Sequence, residues 1–431
     1  MWRYHLHGTM YSDRGDIINV LFPGRLSNGR SCDFQDAVIN FDGMTLIGNI
    51  EIHVRSSQWY AHGHHRNSRY NGIILHVAYW NDTEVPITLE NGTTIPTVCL
   101  HDYLDIKIYY SYSNLDSKNN LYSCAALKKY KRHDKIIDAI YLAGQKRFEE
   151  KIGMFINHLS VKEPGQLLYS YIARALGYDK NSIPMVRMAE LLPINIVEQN
   201  PDQGSEFVRA SLLGTAGFLP SQRTYVRENS DVDLEELILE QIWFTNKNKQ
   251  VMDFSEGSFF RVRPFNSPIW RVVALSYLVE IFRDTGILSG VVAEVCRSYN
   301  NSDPENLVKK IMIPGIGYWA NHLDFGKSSS RDSAIIGYSK AAEITTNVLL
   351  PFVYAWAKLN SELKLQKQLK DLYVHQSALA DNQITRFMKQ QLLIPVKYNL
   401  TAVIQQGLIF IFTHFFRSRN CSECLISVTK D

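Results

Sequence analysis

Three side chains near the start of the chain have the types and spacing needed to bind a divalent cation. Asp33 opens an apolar run, and Glu51 and His53 lie two residues apart on the next. Two carboxylates and an imidazole suit Mg²⁺ or Mn²⁺, which keep water molecules available for reaction. Such a water can attack a phosphorus centre. The sequence therefore predicts Asp33 and Glu51 as metal ligands, and both of these with His53 as the catalytic set.

Histidines are concentrated around these residues. Eight of the thirteen occur within the first 101 residues: His5, His7, His53, His62, His64, His65, His76 and His101. Five side chains on or beyond the second run are candidates for contact with substrate phosphate, namely Arg55, His62, His64, His65 and His76. The histidine spacing is not HExxH, which excludes a zincin. A zinc hydrolase that uses His53, His64 and His76 is an alternative.

Turn signals indicate how these residues are brought together. Asp42-Gly43 separates two alternating apolar runs, a pattern typical of a hairpin with a two-residue turn. Such a turn pairs Phe41 with Met44. A short helix over 56–65 and a strand over 73–79 follow, so the site is predicted to lie on a sheet centred on this hairpin.

The register of the hairpin decides which side chains share a face. A bulge at Gly48 places Asp33 opposite His53, with Glu51 diagonal to it. The other face then carries Ile50, Ile52 and Val54. We expect this bulged register because it separates the polar side chains from the apolar ones.

The pattern changes from strand-like to helical after about residue 127. Beyond residue 135, apolar residues recur at spacings of three and four, and a basic run at 128–135 lies between the two parts. The sequence predicts an α+β protein, with a mixed α/β domain at 1–127 and a mostly helical domain at 128–431. Their net charges are −3 and +6, which suits a metal on the first domain and a phosphate backbone on the second.

The composition excludes several classes of protein. Of 431 residues, 45% are hydrophobic and 21% charged, which excludes wholesale disorder and a coiled coil. Six scattered cysteines do not form a secreted disulfide framework. The longest apolar stretch, near 407–416, is too short to span a bilayer of about 30 Å. We therefore expect a cytoplasmic protein that is not in the membrane.

The order hairpin, helix, strand resembles the core of the PD-(D/E)XK nucleases. In that core an Asp opens one strand, and an acidic residue followed two positions later by Lys lies on the next. Here Cys32 stands at the proline position and His53 at the lysine position. The resemblance implies DNA or RNA as the partner, Mg²⁺ or Mn²⁺ as the cofactor, and His53 as the residue that polarises the attacking water.

A longer resemblance is to the bacterial family called domain of unknown function 2851. It rests on the run 48–64 with Tyr70 and 74–77, and continues through Leu176-Gly177-Tyr178, Leu213-Gly214-Thr215-Ala216-Gly217, Arg263-Pro264-Phe265-Asn266, Trp319, 347–351, Gln405-Gln406-Gly407, Cys421 and Cys424. The family reads Gly-Pro-Asp-Phe where this chain has Ser31-Cys32-Asp33-Phe34. It also carries a cysteine where this chain has Phe416, which argues against zinc binding by the terminal pair. No activity follows from this resemblance.

Two functional hypotheses follow from the sequence. The first is a metal-dependent nuclease or phosphodiesterase that hydrolyses nucleic-acid phosphodiester bonds through a metal-activated water. The second is a non-catalytic scaffold or interaction protein, in which the helical part binds a partner and the histidines serve structure or metal sensing. The two differ in whether Asp33 and Glu51 hold a divalent ion and whether a substrate is turned over.

Overall fold

The computed structural model describes residues 2, 9–27, 32–103, 133–198, 204–223, 232–246, 250–259, 262, 264–330, 332–394, 398, 400–417 and 423–428. The chain forms two compact units. The first comprises Met1–Ile140, Asp381–Tyr398 and Leu408–Asp431, and the second comprises Tyr141–Ala380 and Asn399–Gly407. The domain boundary expected between residues 127 and 128 lies outside the described residues.

Seven strands form one mixed sheet in the first unit. They are β1 Thr9–Tyr11, β2 Ile17–Phe22, β3 Arg25–Leu26, β4 Phe34–Phe41, β5 Met44–Arg55, β6 Ile73–Trp80 and β7 Thr97–Cys99. The order is β1-β2-β4-β5-β6-β7, with β3 paired to β4. Pairs up to β5 are antiparallel, whereas β5, β6 and β7 run parallel. This sheet, followed by helices, confirms the predicted α+β class.

The central hairpin turns where the sequence predicts. Phe41 pairs with Met44 across Asp42-Gly43. The expected bulge at Gly48 is wrong, because the register shifts on β4 instead and Phe34 pairs with Ile50. The expected pairing of Phe34 with Ile52 therefore does not form.

Local contacts explain where the irregularity lies. Asp36 has a φ of 54°, in the left-handed region, and its carboxylate contacts both Arg25 and Arg417. Two cations thus hold the shifted residue in a conformation that a regular strand does not allow. Gly48 has a different role, since a Cβ there would lie 2.3 Å from Cγ2 of Ile74. The glycine permits the close approach of β5 and β6.

The two faces of the sheet bury different sets of residues. One face carries the main core of this unit: Trp2, Met10, Ile18, Val20, Phe34, Ala37, Ile39, Ile50, Leu75, Val77, Val98 and Leu100. A smaller cluster forms around the crossover from β5 to β6: Cys32, Trp59, Tyr70, Ile73, Ile87, Leu89 and Ile95. The second cluster supports the segment that covers the polar face.

The described residues after the sheet are mainly helical. Helix α1, Gln58–Ala61, lies between β5 and β6. The helices after the sheet are α2 His133–Leu159, α3 Pro164–Leu176, α4 Tyr178–Leu191, α5 Ile194–Glu198, α6 Ser205–Thr215, α7 Leu234–Thr245, α8 Pro268–Ile281, α9 Ile287–Asn300, α10 Asn306–Ile311, α11 Tyr338–Ile344, α12 Leu350–Leu359, α13 Leu363–Val374, α14 Gln383–Gln391, α15 Ala402–Ile411 and α16 Leu425–Val428. A two-stranded ribbon joins β8 His322–Asp324 to β9 Lys327–Ser328. None of the helices in the described ranges is long and apolar enough to cross a membrane.

Segments near the C-terminus complete the core of the first unit. Phe22 at the end of β2 contacts Phe387 of α14 and Phe412, with ring centroids 5.2 and 4.8 Å away. Phe416 contacts both of these C-terminal rings in turn. The sheet is therefore packed against residues more than 350 positions later in the sequence.

Candidate metal centre

Alternation along β5 places Glu51 and His53 on one face of the sheet and Ile50 and Ile52 on the other. The two isoleucines pack in the main core. The parallel register then pairs Glu51 with His76 on β6. Because side chains two positions apart on a strand share a face, the polar side of β5 and β6 is lined by ionisable groups.

The crossover after β5 brings two more histidines over this face. Helix α1 is anchored by Trp59, which is fully buried and donates its indole N–H to the Thr88 carbonyl at 3.1 Å. Gly63, with a φ of 71°, then turns the chain between His62 and His64. A side chain at this glycine would strain the left-handed turn.

Three imidazoles converge above the sheet. One ring nitrogen from each of His53, His62 and His64 lies within 4.8 Å of the other two. Nε2 of His53 is 3.2 Å from Nδ1 of His62. Oε1 of Glu51 lies 3.7 Å from Nε2 of His64 and 4.0 Å from Nε2 of His53. His62 is exposed, whereas the other three residues are buried, so the group has one side open to solvent.

The buried imidazoles are neutral at physiological pH. Burial, with the neighbouring imidazoles His64 and His62, lowers the pKa of His53 to about 4. Burial, with His62 and His65, lowers the pKa of His64 to about 4. The contacts with Glu51 are therefore not ion pairs near pH 7. A neutral imidazole has the lone pair that a metal requires.

Nε2 of His64 is a buried nitrogen with no hydrogen-bond partner among the residues that the structure describes. The residue is only 8% exposed. Its ring is held by Tyr70, whose ring centroid is 4.0 Å away. A buried polar atom without a partner costs about 1–3 kcal/mol, so this nitrogen is available to bind a ligand.

His76 contacts His53 but is not one of the three converging imidazoles of His53, His62 and His64. It is fully buried, and its Nε2 lies 3.0 Å from Nδ1 of His53 while its own Nδ1 lies 3.3 Å from Oγ1 of Thr97. Both ring nitrogens therefore have protein partners. Burial, with His53 and His64, lowers its pKa to about 3. The alternative zinc set, with His76 as a ligand, thus differs from the observed group, which contains His62 instead.

The other predicted site residues have separate environments. Oδ2 of Asp33 accepts a hydrogen bond from the Ile52 N–H at 3.0 Å, and Asp33 is not a member of the three-ligand group. His65 packs on Tyr60, with ring centroids 4.8 Å apart. Arg55 is exposed at the end of β5. The structure thus brings Glu51, His53, His62 and His64 together.

The sequence assigns His62 to substrate and His64 either to substrate or, in the alternative zinc set, to the metal, and it does not indicate the contact of Thr97 with His76. The missing information is three-dimensional: a turn at a glycine aims two histidines back at β5, and the β6–β7 register pairs Thr97 with His76. The spacing His-Gly-His is the one local signal that indicates this turn.

The donor set fits a transition metal better than Mg²⁺. Imidazole ligands favour Zn²⁺ and related ions, whereas Mg²⁺ prefers oxygen. Two nitrogens bound to one tetrahedral zinc at 2.0–2.1 Å lie about 3.3 Å apart, close to the 3.2 Å between His53 and His62. The nitrogens of the three histidines lie within 4.8 Å of one another, so the set would contract toward about 3.3 Å on binding such an ion.

Comparison with known proteins supports relatedness and supplies no activity. No curated protein and no solved structure shows a significant match to the chain. A family model described as "Protein of unknown function (DUF2851)" matches residues 1–382, which is most of the sequence. The chain therefore belongs to the family of proteins of unknown function DUF2851.

Proposed function

We propose that this protein is a metal-dependent hydrolase that cleaves phosphodiester bonds of nucleic acids. The site is the group formed by Glu51, His53, His62 and His64, which we name the histidine centre. The observation that carries this proposal is the convergence of three imidazoles and one carboxylate, in which the buried Nε2 of His64 has no hydrogen-bond partner among the described residues. The cofactor proposed here is Mn²⁺ or Zn²⁺, since an imidazole-rich set binds either ion better than Mg²⁺.

Each residue has a distinct role in this proposal. His53, His62 and His64 hold the ion, and His76 fixes the ring of His53. When bound, a divalent ion lowers the pKa of water and stabilises negative charge on a phosphate. Glu51 is close to two of the ligand nitrogens but outside the ligand group, where its carboxylate can accept a proton.

The reaction balances with these groups. The water oxygen forms a bond to phosphorus, and its proton passes to Oε1 of Glu51. The bond from phosphorus to the leaving oxygen breaks, and that oxygen takes up a proton from Glu51 or from solvent at the exposed side. General base catalysis of this kind contributes about 10²–10⁴-fold to the rate.

The topology supports a phosphodiester substrate. An antiparallel hairpin is followed by a helical crossover and a parallel strand, which is the order that the resemblance to PD-(D/E)XK nucleases implies. Glu51 and His53 occupy the acidic and lysine positions of that motif. The net charge of +6 on residues 128–431 also favours a polyanion.

The test is a cleavage assay on the purified full chain. Plasmid, single-stranded DNA and RNA are each incubated with Mn²⁺, Zn²⁺ or Mg²⁺. We expect cleavage with Mn²⁺ or Zn²⁺ that is lost in His64→Ala and retained in His375→Ala, a control histidine that is exposed on the second unit. Cleavage that survives His64→Ala contradicts the proposal.

The assay also separates catalysis from the scaffold hypothesis. Isothermal titration of the same preparations with Zn²⁺ or Mn²⁺ reports binding without turnover. A protein that binds the ion through His64 but cleaves none of the substrates has a structural or sensing metal, and the hydrolase proposal is then wrong.

A further inference from the structure

The polar face of the sheet continues beyond the histidine centre. Along β5, Arg55 follows His53 by two residues, or about 6.6 Å, and therefore points to the same side. The parallel register pairs Arg55 with Trp80 on β6, next to the pairing of His53 with Ala78. A cationic and a large aromatic side chain thus lie side by side, one step from the centre.

His101 extends this row. It follows β7 in a short 3-10 turn, Leu100–Asp102, and its ring centroid is 4.0 Å from that of Trp80, with an angle of 31° between the rings. We name Arg55, Trp80 and His101 the aromatic ledge. Arg55 and Trp80 are paired on adjacent strands, and His101 lies in the turn directly after the next strand, β7.

The ledge is exposed although it contains a tryptophan. Trp80 is 44% exposed, the His101 side chain is 48% exposed and Arg55 is exposed. Within the described residues Arg55 forms no ion pair. A large aromatic ring and a cation that are both exposed and adjacent are typical of a binding surface.

We propose that the aromatic ledge binds an unpaired nucleotide of a single-stranded nucleic acid, with the base stacked on Trp80 and the adjacent phosphate on Arg55. This inference rests on the proposed function and names its substrate class. A base inside a duplex is covered on both faces by its neighbours, whereas an unpaired base can stack on an aromatic side chain. The guanidinium is a geometric match for a phosphate.

The charged groups around the ledge indicate how the nucleic-acid strand is oriented. Asp82 is occupied by Ser57, whose N–H and hydroxyl donate to its carboxylate at 2.9 and 2.8 Å. Asp102 lies 3.6 Å from Nδ1 of His101. The positive charge of Arg55 is on the side of the ledge toward β5, so the phosphate is expected there, next to His53.

The experiment measures binding separately from cleavage. Fluorescence anisotropy of a labelled twelve-residue oligothymidylate is followed with the full chain at low salt and without added metal. We expect Trp80→Ala to weaken binding about tenfold, and Trp80→Phe to retain most of it because a ring remains. Arg55→Ala weakens binding severalfold and reduces its salt dependence, whereas Arg55→Lys retains the charge.

Two controls define the result. Phe244→Ala removes an aromatic ring that is 80% exposed on the second unit, and binding should not change. The same oligonucleotide annealed to its complement should bind at least tenfold more weakly. Equal binding of duplex and single strand, an unchanged affinity in Trp80→Ala, or no binding by the wild type each overturns the proposal.

Failure of the ledge and failure of the proposed function give different results. Binding that depends on Trp80, with no cleavage under any metal, supports the ledge and rejects the hydrolase. Cleavage that depends on His64, with binding indifferent to Trp80 and Arg55, supports the hydrolase and rejects the ledge. An oligouridylate of equal length shows whether the strand is DNA or RNA.

Discussion

The histidine centre and a polar cluster in the second unit both contain buried nitrogen atoms. The two differ in whether those nitrogens have hydrogen-bond acceptors. In the helical unit, Nζ of Lys151 donates to Asn347 and, at 3.1 Å, to Oε1 of Gln406. Nε of Arg147 donates to the same oxygen at 2.8 Å. In the crossover between β5 and β6, by contrast, Nε2 of His64 has no hydrogen-bond partner among the described residues.

The two clusters differ in hydrogen bonding and not in the direction of their pKa shifts. Burial lowers the pKa of Lys151 well below its usual value and also lowers that of Arg147, as it does for His64. A shifted pKa therefore does not distinguish the two clusters. Hydrogen bonding does: both side chains of the helical cluster have acceptors, whereas Nε2 of His64 has no hydrogen-bond partner among the described residues.

The largest expected effect is on turnover. If Glu51 accepts the proton of water, Glu51→Gln lowers the cleavage rate by at least about 100-fold while the protein still binds Zn²⁺ or Mn²⁺. Single-turnover cleavage and isothermal titration check the two parts. A parallel loss of metal affinity would show that Glu51 is a ligand, as the sequence predicts.

A pair of substitutions tests the comparison between the clusters directly. His64→Ala is expected to weaken metal binding more than about 100-fold and to lower the stability of the metal-free protein only through the lost packing of its ring on Tyr70, because no hydrogen bond from its Nε2 is lost among the described residues. Gln406→Leu should leave metal binding unchanged and lower the free energy of unfolding by about 2 kcal/mol, since two donors lose their acceptor. Urea unfolding without metal measures the stabilities; the reverse pattern contradicts the distinction.

Removing the support beneath His53 should have a smaller effect. His76→Gln keeps a polar side chain but alters the contact with Nδ1 of His53. We expect metal affinity to fall by about 10–100-fold, as for other residues that orient a ligand. Titration with Zn²⁺ checks this, and His375→Ala is the control; an unchanged affinity would mean that the backbone alone positions His53.

Acid should lower the free energy of unfolding of the metal-free protein through His53, His64 and His76. Their pKa values in the folded state, about 4 for His53 and His64 and about 3 for His76, lie below the unfolded value of about 6.5. The unfolded chain therefore binds more protons, and stability falls as the pH drops from about 6.5 toward 4. The loss is on the order of 1 kcal/mol or more per histidine. Urea unfolding at pH 7.5 and 4.5 measures it, and His64→Ala should reduce the difference.

The smallest expected effect concerns Asp33. Its carboxylate accepts the Ile52 N–H, so Asp33→Ala should cost about 1 kcal/mol of stability, whereas Asp33→Asn keeps an acceptor and costs less. Neither should change metal affinity by more than a few-fold. A large loss in Asp33→Asn would instead confirm the metal-ligand role that the sequence predicts.

Local signals in the sequence predict much of this architecture. Alternation on β5 places Glu51 and His53 on the face opposite Ile50, and Asp42-Gly43 marks the turn. The bulge cannot be placed from local signals, because it depends on the contacts of Asp36 with Arg25 and the distant Arg417. The imidazole group also depends on chain geometry, since Gly63 aims His62 and His64 at His53.

Helix boundaries in the second unit can also be predicted where they depend on local contacts. Leu176-Gly177-Tyr178 marks the junction of α3 and α4, and α3 begins at Pro164 because Glu163 accepts the N–H groups of Gly165 and Gln166. These are short-range interactions, which a sequence displays. The grouping of 381–398 and 408–431 with the sheet is long-range, and it rests on aromatic contacts that no local pattern encodes.

The contacts of Phe22 with Phe387 and Phe412 set an order for synthesis. A ribosome delivers β2 early, but its two aromatic partners emerge only after residues 141–380 of the second unit. During synthesis, part of the core of the sheet therefore stays exposed until the chain is nearly complete. Domains usually fold in the order in which they emerge; here both units depend on late segments, since the second unit also includes Asn399–Gly407.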